Sequence, residues 1–217
     1  MENEAHDLTK EEIILNAACD VFIEKGLSGA RTQEIADRAG INKTLLHYYF
    51  RTKENIFARI LQSVFSSFLV EIDSAISDEA PFPVALRTFI DSFVDYIAAR
   101  PRVPLFIMQE LSRGGKIVRE VISATLERVN LPNRMVRLIT KGIEEGNLEP
   151  VDPTQTVVTV LGSCIYYFVA EPIIGAVLSK IQPGMVLDRE RFIAQRKEEI
   201  FKVLYYGLKK RDESDAK

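Results

Sequence analysis

The chain has little of what metal-binding, catalytic and disulfide-stapled proteins depend on. Its 217 residues include two cysteines and two histidines, too few for a disulfide framework or a paired cysteine and histidine metal site. It has no glycine-rich phosphate loop and no nucleophile set beside a base. Cys19 and Cys164 lie in apolar helical patterns, which favours two buried free thiols. We therefore expect a protein that is not an enzyme and that uses no metal and no cofactor.

An excess of basic charge and long apolar runs are also missing. The chain has 28 lysines and arginines against 31 aspartates and glutamates, so it is not a polycation that coats nucleic acid indiscriminately. No apolar run reaches the roughly 18 to 20 residues needed to span a bilayer. The N-terminal stretch MENEAHDLTKEE is acidic and polar, unlike a signal segment. These features predict a cytoplasmic protein with no membrane partner.

Helical periodicity runs through the whole chain. Apolar residues recur at i, i+3, i+4 and i+7, and strand-like alternation does not occur. Proline, glycine and capping residues separate the segments and predict an all-α fold. The predicted helices cover residues 9–25, 32–39, 42–50, 52–76, 83–100, 102–112, 116–129, 132–145, 154–170 and 188–209.

The stretch TQEIADRAGINKTLLHYYFRTK, residues 32–53, has the pattern of a helix-turn-helix. Thr32 can cap a first short helix, Gly40 breaks it, and a second short helix follows. The second helix of such a motif can enter the DNA major groove. Between Lys25 and Arg59, seven basic residues stand against three acidic ones. That local surplus suits a small surface that faces phosphates.

The residues of this motif divide by face. An apolar set is expected to form a three-helix core and consists of Val21, Phe22, Ile35, Ala39, Ile41, Leu46 and Phe50. That arrangement leaves Lys43, Thr44, His47 and Tyr48 to point outward. A solvated histidine at position 47, with Tyr48 and Tyr49 as a half-buried pair, is the alternative interpretation. The basic surplus and the motif spacing favour DNA binding.

Residues 14–57 resemble the N-terminal domain of the TetR family of transcriptional regulators. The similarity is carried by AACDVFIEKG followed by ARTQEIADRAGINKTLLHYYFRTKENIF. It implies that Thr32 and Gln33 hold phosphates, that Tyr48 and Tyr49 brace the backbone, and that Lys53 clamps another phosphate. The residues that would face bases are Lys43, Thr44, Leu45 and His47. Leu45 and His47 depart from the common pattern of the family, so the operator sequence cannot be copied from a relative.

The resemblance and the helical pattern together predict two domains. Residues 1–55 would form an N-terminal three-helix DNA-binding domain containing the helix-turn-helix. A long helix would join it to a C-terminal helical ligand-binding and dimerisation domain, residues 56–217. The last two predicted helices look like the dimer-forming pair of the family, and the first of them is apolar around most of its circumference. We therefore expect a homodimer.

Aromatic and sulfur side chains of the second domain are candidates for an effector pocket between helices. Core packing is the alternative for each of them. The candidates are Phe65, Phe68, Phe89, Phe93, Tyr96, Phe106, Met108, Cys164, Tyr167 and Phe168. Glu110 and Glu171 lie in apolar surroundings, where a carboxylate could meet a cationic or hydroxylated effector. A helix end or a solvent-facing turn would also explain both.

The resemblance implies a TetR-like regulator, with repression as the usual mode of the family. Such a protein would bind a roughly palindromic double-stranded DNA operator as a homodimer and would be released by an unidentified small apolar effector. One alternative is a DNA-binding regulator with no small-molecule ligand. Another is an all-helical enzyme, against which the missing catalytic groups argue.

Overall fold

The computed structural model describes residues 9–77, 79–112, 114–181 and 188–210. Within these ranges the chain forms helices and no β-strand, apart from one isolated antiparallel bridge between Leu148 and Lys209. The all-α prediction is confirmed. The helices are α1 Lys10–Gly29, α2 Thr32–Arg38, α3 Lys43–Phe50, α4 Lys53–Ala75, α5 Phe82–Ala98, α6 Arg102–Ser112, α7 Lys116–Leu126, α8 Leu131–Glu144, α9 Pro153–Ile181 and α10 Arg189–Leu208.

Local capping explains where several helices begin. Thr9 and Glu12 form a reciprocal capping box at the start of α1. Asn42 and Asp188 each accept a backbone hydrogen bond at the start of α3 and α10. The prediction that Thr32 caps α2 is wrong, because the extended residue before the helix is Arg31, which makes no side-chain cap. Thr32 already has helical geometry and is the first residue of α2.

The contacts divide the chain into two compact units. Unit 1 contains the residues up to 66 together with residues 106–125. Unit 2 contains residues 67–105 and those from 126 onward. The first part of α4 and the residues of α7 up to Thr125 therefore belong to the same unit as α1, α2 and α3. The predicted domain boundary after residue 55 stays a prediction. The division by contacts differs from it, because it assigns residues up to 66 and residues 106–125 to unit 1.

The core of unit 1 is aromatic and aliphatic. Phe22 and Phe57 are both fully buried, and their rings meet edge to face with centroids 5.4 Å apart. Val118 of α7 is also buried in this cluster. Of the seven core residues predicted from the sequence, five are buried, whereas Ala39 and Ile41 are only half-buried. The three-helix core thus extends to residues of α4 and α7.

The core of unit 2 lies among α5, α8, α9 and α10. Leu86 and Ile90 of α5 are fully buried. Phe68 meets Phe93 and Tyr96 at ring distances of 4.9 and 4.8 Å. Aromatic contacts of this kind add to the free energy gained from burial alone. The buried face of α5 therefore consists of apolar residues that recur at helical spacing, such as Leu86, Phe89, Ile90 and Phe93.

α9 is longer than the sequence indicated. The prediction ended it at residue 170 because of Pro172, but the helix continues through this proline to Ile181. Proline removes one backbone hydrogen bond, and here its ring is exposed while Ile174 still packs against the core. The sequence showed no apolar run of roughly 18 to 20 residues, but α4 and α9 are helices long and apolar enough, by length and composition, to cross a membrane. Core helices of other proteins have the same length and apolar composition.

Candidate DNA-binding surface

α3 is a short helix held firmly at both ends. The Asn42 side chain accepts a hydrogen bond from the Leu45 amide at 2.7 Å and fixes the first turn. Leu46 is fully buried and Phe50 is 8% exposed, so they anchor the helix in unit 1. The opposite face exposes Lys43, Thr44, His47 and Tyr48, as the sequence pattern predicts, and Leu45 is half-buried. Their assigned roles toward bases and phosphates stay predictions.

The end of α3 contains an unusual turn at Arg51. This residue has a φ of 58° and a ψ of −51°, which is uncommon for a residue with a side chain. The Thr52 amide donates to the Phe50 carbonyl at 2.6 Å across it. The Arg51 carbonyl lies 2.7 Å from Nδ1 of His47. The turn therefore fixes the histidine ring as well as ending the helix.

The two tyrosines of α3 differ in exposure. Tyr48 is 81% exposed and Tyr49 is 41% exposed. Their rings meet edge to face, with centroids 5.6 Å apart. Tyr49 is also 6.3 Å from the ring of Phe50. The alternative of a half-buried pair thus fails for Tyr48, whose ring projects into solvent where it could reach a DNA backbone.

The start of α2 contributes two further predicted contacts. Thr32 is half-buried, and Gln33 is exposed. The Gln33 amide nitrogen donates to the Asp37 carboxylate at 2.8 Å. This contact orients the Gln33 side chain along the helix, and its amide oxygen can still accept a hydrogen bond. The amide nitrogen has a second hydrogen to donate, so a phosphate contact is compatible with the bond to Asp37.

Lys53 holds the turn between α1 and α2. Its ammonium group donates to the carbonyl oxygens of Ser28 and Ala30 at 3.2 and 3.1 Å. An ammonium has three donors, so a phosphate contact is compatible with these two bonds. The turn begins at Gly26, whose φ of 67° interrupts the helix. Lys53 therefore positions the backbone that leads into α2.

Glu110 of α6 holds the same turn from another element of unit 1. Its side chain is buried, and Oε1 accepts a hydrogen bond from the Leu27 amide at 3.2 Å. The sequence offered an effector contact, a helix end or a solvent-facing turn for this residue. The structure instead shows a carboxylate that satisfies a backbone amide 83 residues away. Sequence spacing carried no signal for that partner.

Several cations of the predicted basic surface have acidic partners. Lys25 pairs with Glu34, and the Arg38 guanidinium meets the Glu24 carboxylate through two bonds of 2.8 and 3.0 Å. The hydrogen bonds that Arg38 donates to the Glu24 carboxylate raise the pKa of Arg38. Arg59 pairs with Glu11 at 3.2 Å.

Glu11 and Glu24 lie outside the stretch over which the basic surplus was counted, so that count overstates the positive charge. Arg31, Lys43 and Arg51 have no ion-pair partner among the described residues. These three residues are therefore the cations most available to phosphates.

Most of the predicted effector residues pack against one another. Six of them are only a few per cent exposed, namely Phe89, Phe93, Tyr96, Cys164, Tyr167 and Phe168. Phe65 and Phe68 are half-buried, and Met108 is 46% exposed. The side chain of Phe106 lies outside the described residues. Phe65, Phe106 and Met108 belong to unit 1 and the others to unit 2. The pocket role of the set stays a prediction.

Burial also sets the chemistry of unit 2. It raises the pKa of the Cys164 thiol to about 12, with Arg196 acting weakly in the opposite direction. Burial and Glu171 raise the pKa of Tyr167. The Tyr167 hydroxyl donates to Glu171 at 3.3 Å, and Arg189 reaches the same carboxylate oxygen at 3.4 Å. Glu171 therefore lies inside the extended α9 and links it to α10.

One cavity of unit 2 lies away from the predicted effector residues. It has a volume of about 290 Å³ and lies between the start of α5 and the ends of α8 and α10. Pro81, Leu138, Leu148 and Tyr205 are among its lining residues. Among the residues that the structure describes, no group of three or more histidine, cysteine, aspartate or glutamate side chains is placed to hold a metal ion.

α9 and α10 expose an unusual amount of apolar surface. Large side chains on them are between 38% and 70% exposed. They are Val158, Leu161, Tyr166, Ile173, Val177, Ile181, Val203 and Tyr206. This set is called the apolar face below. Large exposed apolar side chains on two helices that contact each other favour an interaction surface.

Family models match both parts of the chain. The model described as bacterial regulatory proteins, tetR family, matches residues 14–60. The model described as tetracyclin repressor-like, C-terminal domain, matches residues 83–195. The HTH-type transcriptional regulator RutR of Escherichia coli (strain K12) is 27% identical over 202 residues, which are 93% of this chain and 92% of that protein. Such relatives are transcriptional regulators and not enzymes.

Solved structures of low sequence identity share the fold. The ketosteroid transcriptional regulator KstR2 of Mycobacterium tuberculosis superposes with a TM-score of 0.69 at 17% identity, covering 95% of this chain and 98% of that one. FadR from Bacillus subtilis, in complex with stearoyl-CoA, superposes with a TM-score of 0.68 at 19% identity, covering 90% and 97%.

Proposed function

This chain belongs to the TetR family of bacterial transcriptional regulators, and on that premise we propose that it is a repressor that binds a roughly palindromic operator as a homodimer. The observation that carries the proposal is the exposed face of α3. Lys43, Thr44 and His47 lie on a helix that is capped by Asn42 and anchored by Leu46. A rigid helix with exposed polar groups suits base recognition in the major groove. A regulator of this kind acts on DNA in the cytoplasm.

The apolar face supports the homodimer. Two copies that cover this face would remove large apolar side chains from water. A two-fold dimer would also present two α3 helices to two half-sites about one turn of DNA apart. Each half-site alone offers few base contacts, so pairing increases both affinity and specificity. Sedimentation should give a dimeric mass at micromolar concentration, and a monomer would contradict this part.

A small apolar effector would release the protein from DNA. FadR, one of the structural neighbours, was solved with stearoyl-CoA, which supports acyl-bearing molecules as the first class to test. α4 contributes residues to both units, so a change in it would alter the DNA-binding unit. An effector that prefers the released state about 100-fold supplies about 2.7 kcal/mol, enough for a switch.

A second candidate is a regulator with no small-molecule ligand. The contacts among Phe68, Phe89, Phe93 and Tyr96 favour it, since these side chains fill space that an effector would need. A thermal-shift screen with lipophilic and cationic compounds separates the two candidates. A specific ligand should raise the melting temperature in a concentration-dependent manner. No shift with any compound, together with tight operator binding, would favour the ligand-free regulator.

The test of the proposed function is binding to DNA fragments from upstream of the gene, with random DNA as competitor and salt varied. A protected site with two-fold symmetry is expected. Lys43→Ala and His47→Ala should each weaken binding by about 1 to 3 kcal/mol. Lys116→Ala, at an exposed lysine of α7, is the matched control and should change little. Weak binding that is equal for all sequences and lost in moderate salt would contradict the proposal.

A further inference from the structure

The hydrogen bond between His47 and Arg51 determines where the histidine carries its proton. Nδ1 of His47 lies 2.7 Å from the carbonyl oxygen of Arg51. A carbonyl oxygen can only accept a hydrogen bond, so Nδ1 must be the nitrogen that bears hydrogen. In a neutral imidazole the other nitrogen then has a free lone pair. Nε2 of His47 is therefore a hydrogen-bond acceptor.

The backbone around Arg51 maintains this arrangement. The Arg51 amide donates to the His47 carbonyl at 3.0 Å, so the two residues are joined by bonds in both directions. The Thr52 amide closes a three-residue turn on the Phe50 carbonyl. Arg51 is the only residue other than glycine with a positive φ in the described part of the chain. A strained conformation that persists inside such a set of bonds is characteristic of functional sites.

His47 is placed on the face of α3 that is exposed to solvent. It follows Lys43 by four residues and Thr44 by three, so the three side chains share one side of the helix. All three are exposed. Nε2 is the ring nitrogen left to meet a partner from outside the chain. If α3 lies in a major groove, as proposed above, that partner is a base edge.

We propose that His47 is a specificity-determining residue that reads its base as a hydrogen-bond acceptor. In the major groove, adenine N6 and cytosine N4 are amino donors, whereas guanine and thymine present acceptors to the same region. A fixed acceptor at Nε2 therefore selects adenine or cytosine and disfavours guanine or thymine. A tyrosine hydroxyl could rotate to donate or accept, so it would not impose the same choice. This inference rests on the proposed DNA-binding role of α3.

The first test measures the tautomer in the free protein. Long-range proton–nitrogen NMR at about pH 8.5, above the range in which histidines ordinarily titrate, reports which ring nitrogen bears hydrogen. The chain has two histidines, and His47→Ala assigns the signal. We expect the Nδ1–H tautomer for His47. Arg51→Gly keeps the carbonyl and suits a positive φ, so it should leave the tautomer unchanged. An Nε2–H tautomer would overturn the inference.

The second test measures base preference by selection of operators from random DNA at the same pH. At one position of each half-site, the wild-type protein should prefer one base pair by about tenfold over the others, and the base contacted in that pair should be its adenine or cytosine. His47→Ala and His47→Tyr should reduce that preference while the remaining positions keep theirs. Lys43→Ala, which removes a different contact of α3, should leave the preference at this position intact. If the His47 variants kept the wild-type preference at every position, the inference would be overturned.

A double-mutant cycle completes the design if adenine is selected. Replacing that adenine by purine, which lacks the 6-amino group, should weaken wild-type binding by about the same factor as His47→Ala. Combining both changes should add almost nothing further. Additive losses would show that His47 does not contact the amino group and would overturn the inference. Failure of the wild type to select any site would instead contradict the proposed function.

Discussion

The two units bury similar side chains and expose different ones. Both cores are built from packed phenylalanines and aliphatic residues. On its exposed surface, unit 1 presents Lys43, Thr44 and His47 on α3, whereas unit 2 presents the apolar face of α9 and α10. A DNA duplex is bound by cations and hydrogen-bonding groups, and a protein copy by apolar area. The exposed residues, and not the cores, therefore distinguish what each unit can bind.

The units also differ in how their exposed groups are held. In unit 1, Asn42, Lys53 and Glu110 each form hydrogen bonds that fix the backbone next to the exposed polar residues. In unit 2, the apolar face depends on helix geometry alone, since apolar side chains form no directional bonds. Recognition of bases needs hydrogen-bond geometry to within a few tenths of an ångström. Burial of apolar area is not directional and tolerates more variation.

The largest expected effect tests whether the two cores are separate. Phe57→Ala should lower the free energy of unfolding of unit 1 by about 3 to 5 kcal/mol, because it leaves a cavity beside Phe22. Phe93→Ala should do the same to unit 2. Amide hydrogen exchange should accelerate mainly in the unit that carries the substitution. If every amide accelerated equally for both variants, the chain would unfold as one cooperative body and the comparison would fail.

The next effect concerns the apolar face. Val203 is 70% exposed on α10, and Val84 is 54% exposed on α5, outside that face. Val203→Glu should weaken dimerisation by about 100-fold, because the dimer would bury an unpaired carboxylate. Val84→Glu introduces the same change elsewhere and should leave the dimer intact. Sedimentation across a concentration series measures both. Equal behaviour of the two variants would mean that the apolar face does not join the copies.

A smaller effect is expected at the turn between α1 and α2. Glu110→Ala removes the acceptor for the Leu27 amide and should lower the free energy of unfolding of unit 1 by about 1 to 3 kcal/mol. Glu110→Gln keeps a carbonyl oxygen and should cost less than half of that loss. Chemical denaturation, monitored by a signal from unit 1, measures the free energy of unfolding of both variants. Identical losses for both variants would show that packing, and not the hydrogen bond, explains the effect.

The smallest expected effect is a difference in chemical reactivity between the two thiols. It involves no change in the stability of the protein. Cys19 is half-buried, so only one of the two predicted buried thiols is confirmed, whereas Cys164 is 1% exposed. Because burial raises the pKa of Cys164 to about 12, almost none of it is the reactive thiolate at neutral pH. An alkylating reagent followed by mass spectrometry should therefore modify Cys19 first. Equal rates at the two sites would contradict the burial assigned to Cys164.

Local features of the chain were predictable from the sequence. Thr9 caps α1, Gly26 interrupts it, and the residues of α3 that the sequence pattern placed outward are exposed. Capping and periodicity involve residues a few positions apart, so the sequence displays them directly. The continuation of α9 past Pro172 was missed, because a proline normally ends a helix. Ile174, after this proline, packs against the core of unit 2, and the sequence does not display that tertiary packing.

Long-range partners were not predictable. Lys53 was expected to reach a phosphate, but its ammonium also binds the carbonyls of Ser28 and Ala30. The pairing of Arg59 with Glu11 joins residues 48 positions apart. The packing of the helices decides which side chains meet across such distances, and the composition of the chain does not reveal that packing. The candidate DNA-binding residues were therefore identifiable, while the contacts that hold them in place were not.

The participation of α7 in unit 1 limits how this protein can be engineered. Val118 is buried in the same cluster as Phe22 and Phe57, and Ile117 and Val121 pack beside it. A hybrid repressor that transplanted only the first 55 residues onto another effector domain would leave these apolar contacts without their partners. Exchange of specificity between regulators would succeed more readily by grafting the exposed side chains of α3 than by cutting the gene at the apparent end of the helix-turn-helix.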